Sequence, residues 1–349
     1  MPIHFSILEL TGIGLSLLVS LAILFFAEPL GRILGVMDQP DNVRKIHARA
    51  TPLIGGIAIT TPMFLWSLAG IFWPELAENG RVPLAGIICG GGATLLGFLD
   101  DRRSLSPTLR LLTLLALTVL ALQINERLVP SQFNWDHFTS TPVQPWLACV
   151  LVAIGMAGFV NSVNMADGHD GCAAGMFAIW AACMVLCSRD NTADLAAILF
   201  VTSLAVLVFN LRGKVFLGGA GAYGVTFLYG LLILRLHNHW GVTAETIIVW
   251  LFIPIVDCLR LMIARPLQGR SPFDADRGHF HHRLYDRFGK HPALAIYLGL
   301  VASSSLVATL APNLAPLCLF LLACTYVGLM FATSETVTRP VPVKITRRD

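Results

Sequence analysis

Eleven largely apolar runs, each close to the length that crosses a lipid bilayer, punctuate this chain and leave few alternatives for its fold. They fall at about 5–27, 53–73, 83–98, 108–124, 146–162, 172–188, 194–210, 221–236, 244–263, 292–311 and 315–332. A spanning helix needs about 20 apolar residues to cross about 30 Å of hydrocarbon. Inside that layer only helices and closed barrels satisfy their own backbone hydrogen bonds. The expected fold is therefore all-α: a polytopic integral membrane helical bundle of about eleven transmembrane helices, with ten as the alternative count. Composition points the same way, since 55% of the residues are hydrophobic and 13% charged, against roughly 25% charged in a soluble domain. One membrane-embedded domain is expected over 1–349, with 333–349 a basic tail.

Lysine and arginine orient the bundle. Of the 24 in the chain, 20 are assigned to the side carrying the loops after the first, third, fifth, seventh and ninth runs and the tail. Four, Arg81, Arg127, Arg189 and Arg235, fall on the alternate side. The positive-inside rule makes the first side cytoplasmic, with the N-terminus outside and the C-terminus inside. A formal net charge of +3 gives no nucleic-acid footprint. The eight cysteines lie mostly in apolar runs without CxxC spacing and read as small packing residues. The first run lacks a basic leader and a cleavage site, so it reads as a retained helix. Gly90, Gly91 and Gly92 in the short third run suit close packing or an interrupted helix beside a cavity.

The polar residues of the cytoplasmic side form five groups. Asp38 to His47 opens the series, with Arg44 and Lys45 able to hold phosphate or to anchor the loop, and Pro52 to Gly56 enters the next helix with small residues. Asp100 and Asp101 end the third run. A carboxylate pair suits magnesium with substrate phosphates, and equally a solvated helix end paired with Arg102 and Arg103. Asn161 to Gly171 places two Asn, two Asp and two Gly in eleven residues at the end of an apolar run, and polar groups there are functional by default. Asp167 and Asp170 share a face if that segment is helical, and Asn164 joins it. Gly218 to Gly221 offers close backbone approach, either to an anion or to another helix. Arg270 to Arg283 packs three His and three Arg into fourteen residues, a set that complements a diphosphate. The alternative there is a zinc site on His279, His281 and His282.

In this order the segments resemble the polyprenyl-phosphate N-acetylhexosamine-1-phosphate transferases, over roughly residues 35–290. The stretch Gly269 to Leu284 looks most like the branch using UDP-GlcNAc. The resemblance implies transfer of a sugar-1-phosphate from a UDP-HexNAc to undecaprenyl phosphate at the cytoplasmic face of a bacterial inner membrane, with release of UMP. It implies Mg2+ as cofactor, with Mn2+ as the alternative ion, and leaves a homodimer open. Residue by residue it implies catalytic roles for Asp100, Asp101, Asp167 and Asp170, with Asp100 and Asp101 shared between metal and acceptor phosphate. It implies substrate-binding roles for Lys45, His47, Asn161, Asn164, Arg270, His279, His281, His282 and Arg283.

Three of the departures from the pattern bear on function. The family runs Phe-Met-Gly-Asp-Ala-Gly-Ser where this chain has Phe216-Leu217-Gly218-Gly219-Ala220-Gly221-Ala222. Gly219 thus replaces a metal-binding aspartate, and Ala222 a serine. His169 stands where the family usually has an apolar residue. These departures support a second class of function, a catalytically impaired relative that binds polyprenyl phosphate or UDP-sugar. A transporter would place its polar residues along a path at mid-depth, whereas here they gather at one boundary.

Overall fold

The computed structural model describes residues 5–39, 50–72, 84–135, 139–188, 191–272 and 277–334. Each apolar run becomes helical: α1 (Ile7–Phe25), α3 (Gly55–Phe72), α4 (Gly91–Arg103), α5 (Pro107–Ile124), α6 (Pro145–Ala166), α7 (Cys172–Cys187), α8 (Asn191–Leu211), α9 (Thr226–Trp240), α10 (Ala244–Leu267), α12 (Lys290–Leu310) and α13 (Ala315–Ala332). Among the described residues nine helical segments are long and apolar enough to cross a membrane. The other two expected spans are shorter. α7 has 16 residues, and α4 continues a π-helical turn at Gly86–Gly90. A second π-helical turn, Ala220–Val225, leads into α9.

Two helices are not spans. α2 (Ala27–Leu34) and α11 (Phe280–Phe288) are amphipathic and short. Two small antiparallel ribbons, β1 (Met37–Asp38) with β2 (Thr51–Pro52) and β3 (Gln132–Asn134) with β4 (Ser140–Pro142), add a little strand to the expected all-α bundle.

α7 is the centre of the bundle. Phe177, Trp180 and Met184 are buried, and the helix packs between α8 and α12. Phe177 stacks on Tyr229 of α9 at 5.0 Å, and the Tyr229 hydroxyl donates to the Phe177 carbonyl at 2.6 Å. Trp180 donates from Nε1 to the Trp250 carbonyl of α10 at 2.9 Å. A helix so enclosed presents little surface to lipid. The outer helices expose apolar side chains instead, among them Leu18, Ile263, Leu310 and Phe320, as a surface solvated by acyl chains requires.

Glycine sets how closely the helices near the site approach. A Cβ on Gly56 of α3 would lie 1.9 Å from the Gly221 nitrogen, and one on Gly97 of α4 would lie 1.9 Å from the Gly219 carbonyl oxygen. The π-helical turn at Ala220–Val225 is thus clasped between α3 and α4 by backbone contact. Of the two uses the sequence left open for this glycine-rich stretch, close helix packing is the one observed.

The loops sort into two ends. At one end Leu53 donates to the Val36 carbonyl, Phe216 to that of Pro52, and Gly55 and Gly56 to those of Phe216 and Leu217, at 2.8–2.9 Å. The segments after α4, α6 and α10 join the same end, as does the C-terminus of α13, where Arg283 donates to the Met330 carbonyl at 3.1 Å. At the opposite end Asn238 donates to the Arg127 carbonyl and His237 contacts that of Gln132. This is the alternation that the basic residues imply.

Candidate active site

Asp100 and Asp101 finish α4 together but point to different partners. Asp100 is saturated: Oδ1 accepts from the Leu105 nitrogen at 2.8 Å, and Oδ2 accepts from Arg110 Nη1 and the Tyr223 hydroxyl, both at 2.9 Å. It ties α4 to α5 and to the second π-helical turn. Asp101 turns the other way, and both of its oxygens accept from the backbone N–H of Gly219, at 3.0 and 2.8 Å. Asp38 and Asp167 lie within electrostatic reach of it.

Asp167 follows α6. The chain is not helical from Asp167 to Gly171, so the shared helical face expected for Asp167 and Asp170 does not form. Gly171 adopts φ of +88°, which suits glycine, and its N–H donates to the side chain of Asn210, whose Nδ2 in turn donates to the Val215 carbonyl at 2.8 Å. Buried Asn210 therefore locks the Asp167 loop to the segment leading to Gly219. Burial, then the charges of Asp101 and Asp170, push the Asp167 carboxyl up to about 7. Asp170 also pairs with Lys290 Nζ at 2.6 Å.

The carboxylates of Asp101 and Asp167 thus supply hard oxygen donors with excess negative charge, which fits a divalent cation of the magnesium class. Gly219 supplies an N–H where a carboxylate was expected.

The histidines form the other wall. His279 is buried and its Nδ1 donates to Asp257 Oδ2 at 2.9 Å. Asp257, in α10, also accepts from Arg260 at 2.7 Å, from the Tyr326 hydroxyl at 3.0 Å and from the Phe280 nitrogen at 3.1 Å. The Nε2 of His279 faces Arg265 Nη2 at 3.4 Å, as an acceptor in the Nδ1–H tautomer. One buried carboxylate therefore fixes the start of α11 and the tautomer of its first histidine.

His281 and His282 follow, and His169 reaches them from the Asp167 loop, with His282 Nδ1 3.1 Å from His169 Nε2. Burial depresses all three imidazoles, His169 to about 4 and His282 to about 3. Arg277 adds to the shift of His169, and His169 then Arg277 to that of His282.

The remaining expected residues are more scattered. Asn161 directs its amide at the sulfurs of Met165 and Cys258, toward α10. Asn164 lies half-buried on the last turn of α6. Arg270 is exposed just past α10, its nitrogen bonded to the Arg265 carbonyl at 2.9 Å. Arg283 is an anchor of α11 to α13 through Met330. Lys45 and His47 lie outside the described residues.

Sequence reasoning missed Asp257, Asn210 and Tyr223. The first two carried a usable signal, since each is a polar group within an apolar run, where such groups are costly. Tyr223 carried none, because its partner Asp100 is 123 residues away.

Comparison with known proteins follows the same lines. Residues 84–237 match the model of glycosyl transferase family 4. The chain is 29% identical over 337 residues to the undecaprenyl-phosphate alpha-N-acetylglucosaminyl 1-phosphate transferase of Escherichia coli K12, covering 90% of this chain and 89% of that one. It is 29% identical to the protein of the same name from Yersinia pestis, covering 92% and 91%. To the probable undecaprenyl-phosphate N-acetylglucosaminyl 1-phosphate transferase of Bacillus subtilis it is 28% identical, covering 84% and 82%. With its ordered motifs gathered at one end of an apolar bundle, and similarity running the length of these relatives, the chain is similar to the polyprenyl-phosphate N-acetylhexosamine-1-phosphate transferases.

Proposed function

We propose that the protein transfers a sugar-1-phosphate, GlcNAc-1-phosphate above all, from a UDP-HexNAc to undecaprenyl phosphate and releases UMP, at the cytoplasmic face of a bacterial inner membrane. The observation that carries this is the joining of Asp101 to the Gly219 backbone beside Asp167, at the lipid-bounded end of the bundle. An anionic acceptor attacking an anionic diphosphate must overcome like-charge repulsion, and a site at the bilayer boundary meets a lipid phosphate where its headgroup lies.

In this proposal Asp101 and Asp167 hold the divalent cation, which when bound neutralises phosphate charge. Asp100 is a positioning residue, because its oxygens already serve Arg110, Tyr223 and Leu105. Gly219 orients the Asp101 carboxylate. Asp257 and Arg265 together hold His279, and with it the start of α11, in place for the donor as positioning residues.

The test is formation of a lipid-linked product from labelled UDP-GlcNAc, undecaprenyl phosphate and Mg2+ by the purified protein. Failure to form product with any common UDP-HexNAc, despite measurable binding of the nucleotide sugar, would overturn the proposal. That outcome is the one expected of a ligand-binding, catalytically impaired relative, the second reading that the absence of a carboxylate at Gly219 favours.

A further inference from the structure

The imidazole cluster holds more histidine than the Asp257 network uses. We propose that His169, His281 and His282 form a binding site for a divalent cation of the zinc class, bridging the loop after α6 to helix α11. Their ligand nitrogens all lie within 4.8 Å of one another. Zinc bonds imidazole nitrogen at about 2.0–2.1 Å, so two ligands of a tetrahedral ion stand roughly 3.3 Å apart. The 3.1 Å between His282 Nδ1 and His169 Nε2 is close to that separation.

A direct hydrogen bond between those two rings accounts for their approach but not for His281. Its ring is 4% exposed and neither nitrogen has a hydrogen-bond partner. A buried imidazole with both polar atoms unmatched is costly, and a metal bond removes that cost on one of them. The rings are set to converge: His169 stands nearly perpendicular to His281, at 89°, and to His282, at 81°. Tyr285 stacks on His169 at 4.5 Å and fixes its plane. A Cβ on Gly168 would lie 2.1 Å from His281 Nε2, so the loop comes close enough to seat that ring only because it carries glycine there. A pocket lined by His169, Asp170, Cys172, His281 and Tyr285 gives access.

Two chemical arguments select the ion and the set. Three imidazoles favour zinc-type ions over magnesium, which takes oxygen donors. The neighbouring group of Asp257, His279 and His281 is a poorer site, because Arg260 and Arg265 already supply its positive charge. Three protein ligands leave a tetrahedral ion one open position for water or an anionic oxygen. The inference stands apart from the transferase proposal, because its three ligands are imidazoles and none is a carboxylate assigned there to the magnesium-class cation.

The full chain, purified in detergent without a polyhistidine tag and stripped with chelator, would be titrated with Zn2+ alone. Bound metal would be counted after removal of the excess. About one zinc per chain is expected, with His169→Leu and His282→Gln each weakening binding by at least ~10-fold, since losing even an outer partner of a ligand costs that much. Thermal unfolding in chelator identifies any variant that fails to fold, and the other variant then gives the answer. Absence of stoichiometric zinc in the unmodified chain, or unchanged affinity in folded variants, would overturn the site. Neither result bears on the transferase proposal, which is read from lipid product in magnesium buffer.

Discussion

Gly219 is the position where a single added carbon tests the site most directly. A Cβ there would lie 2.5 Å from the Gly97 carbonyl oxygen and 3.0 Å from Asp101 Oδ1, where ordinary contact begins at 3.4 Å. Gly219→Ala must therefore move α4 and the second π-helical turn apart by about 0.9 Å, the difference between those distances, and overpacking of this kind costs about 1–3 kcal/mol. Gly219→Asp adds a second carboxylate beside Asp101, and two unit charges about 4 Å apart at an effective dielectric of 20 repel by about 4 kcal/mol. A bound divalent cation offsets that repulsion but not the overpacking. Thermal unfolding in detergent should therefore rank the unmodified chain above Gly219→Ala, and Gly219→Ala above Gly219→Asp, in chelator. Millimolar Mg2+ should bring the aspartate variant up to the alanine one. An alanine variant as stable as the unmodified chain would refute the close approach. An aspartate variant indifferent to Mg2+ would refute a cation site beside Asp101.

Other substitutions separate the remaining roles. Asp101→Asn is expected to abolish lipid product while leaving unfolding within about 1 kcal/mol of the unmodified chain, because the amide oxygen still accepts from Gly219; a fully active variant would remove Asp101 from the chemistry. Asp257→Asn leaves Arg260 without its buried partner and should cost about 3–5 kcal/mol, with the surviving folded protein raised in KM for the nucleotide sugar more than lowered in kcat. In chelator, between pH 6.5 and 4, the depressed histidines lower stability as pH falls while Asp167, raised to about 7, opposes them, so the histidine contribution is read as the difference between the unmodified chain and His282→Gln. His169 and His282 are held at about 4 and about 3 in the fold against about 6.5 unfolded, so these two residues bind more protons in the unfolded chain across that window. The slope approaches about 1.4 kcal/mol per pH unit for each histidine, and His282→Gln should make the measured acid limb shallower. Gly97→Ala should be strongly disruptive, as should Gly56→Ala, because each methyl would meet backbone at 1.9 Å; wild-type activity and stability in either variant would contradict the packing described.

What the sequence revealed and what it concealed follow different physics. The helices were legible because hydrocarbon demands long apolar runs, and those runs are local. The end carrying the polar groups was legible too, through the placement of basic residues. Contacts between distant segments were not. Asp100 and Asp101 are adjacent and chemically identical, yet one is consumed by Arg110 and Tyr223 while the other meets Gly219. That division depends on which way each side chain leaves the last turn of α4, which no local pattern encodes. Asp257 was readable as a lone carboxylate in an apolar run, but its partners His279 and Tyr326 lie 22 and 69 residues away and were not. The π-helical turn at Ala220–Val225 was also unmarked, beyond the glycines that let α3 and α4 approach.

The structure changes what the glycine at 219 means. From sequence alone it is a missing ligand, a subtraction from a metal site. In the fold its N–H is the donor that fixes both oxygens of Asp101, and its lack of a side chain admits the Gly97 carbonyl. A residue with a side chain there would have to trade that approach for its own carboxylate. Asp167, whose ionisation burial and the Asp101 charge disfavour until a cation balances it, then becomes the remaining oxygen donor, so the cation proposed here depends on two carboxylates from different helix ends. Asp167→Asn should accordingly lower the apparent affinity for Mg2+ in the lipid-product assay by at least ~10-fold, with activity recovering at high Mg2+. Activity that falls without any such recovery would assign Asp167 to substrate rather than to the ion.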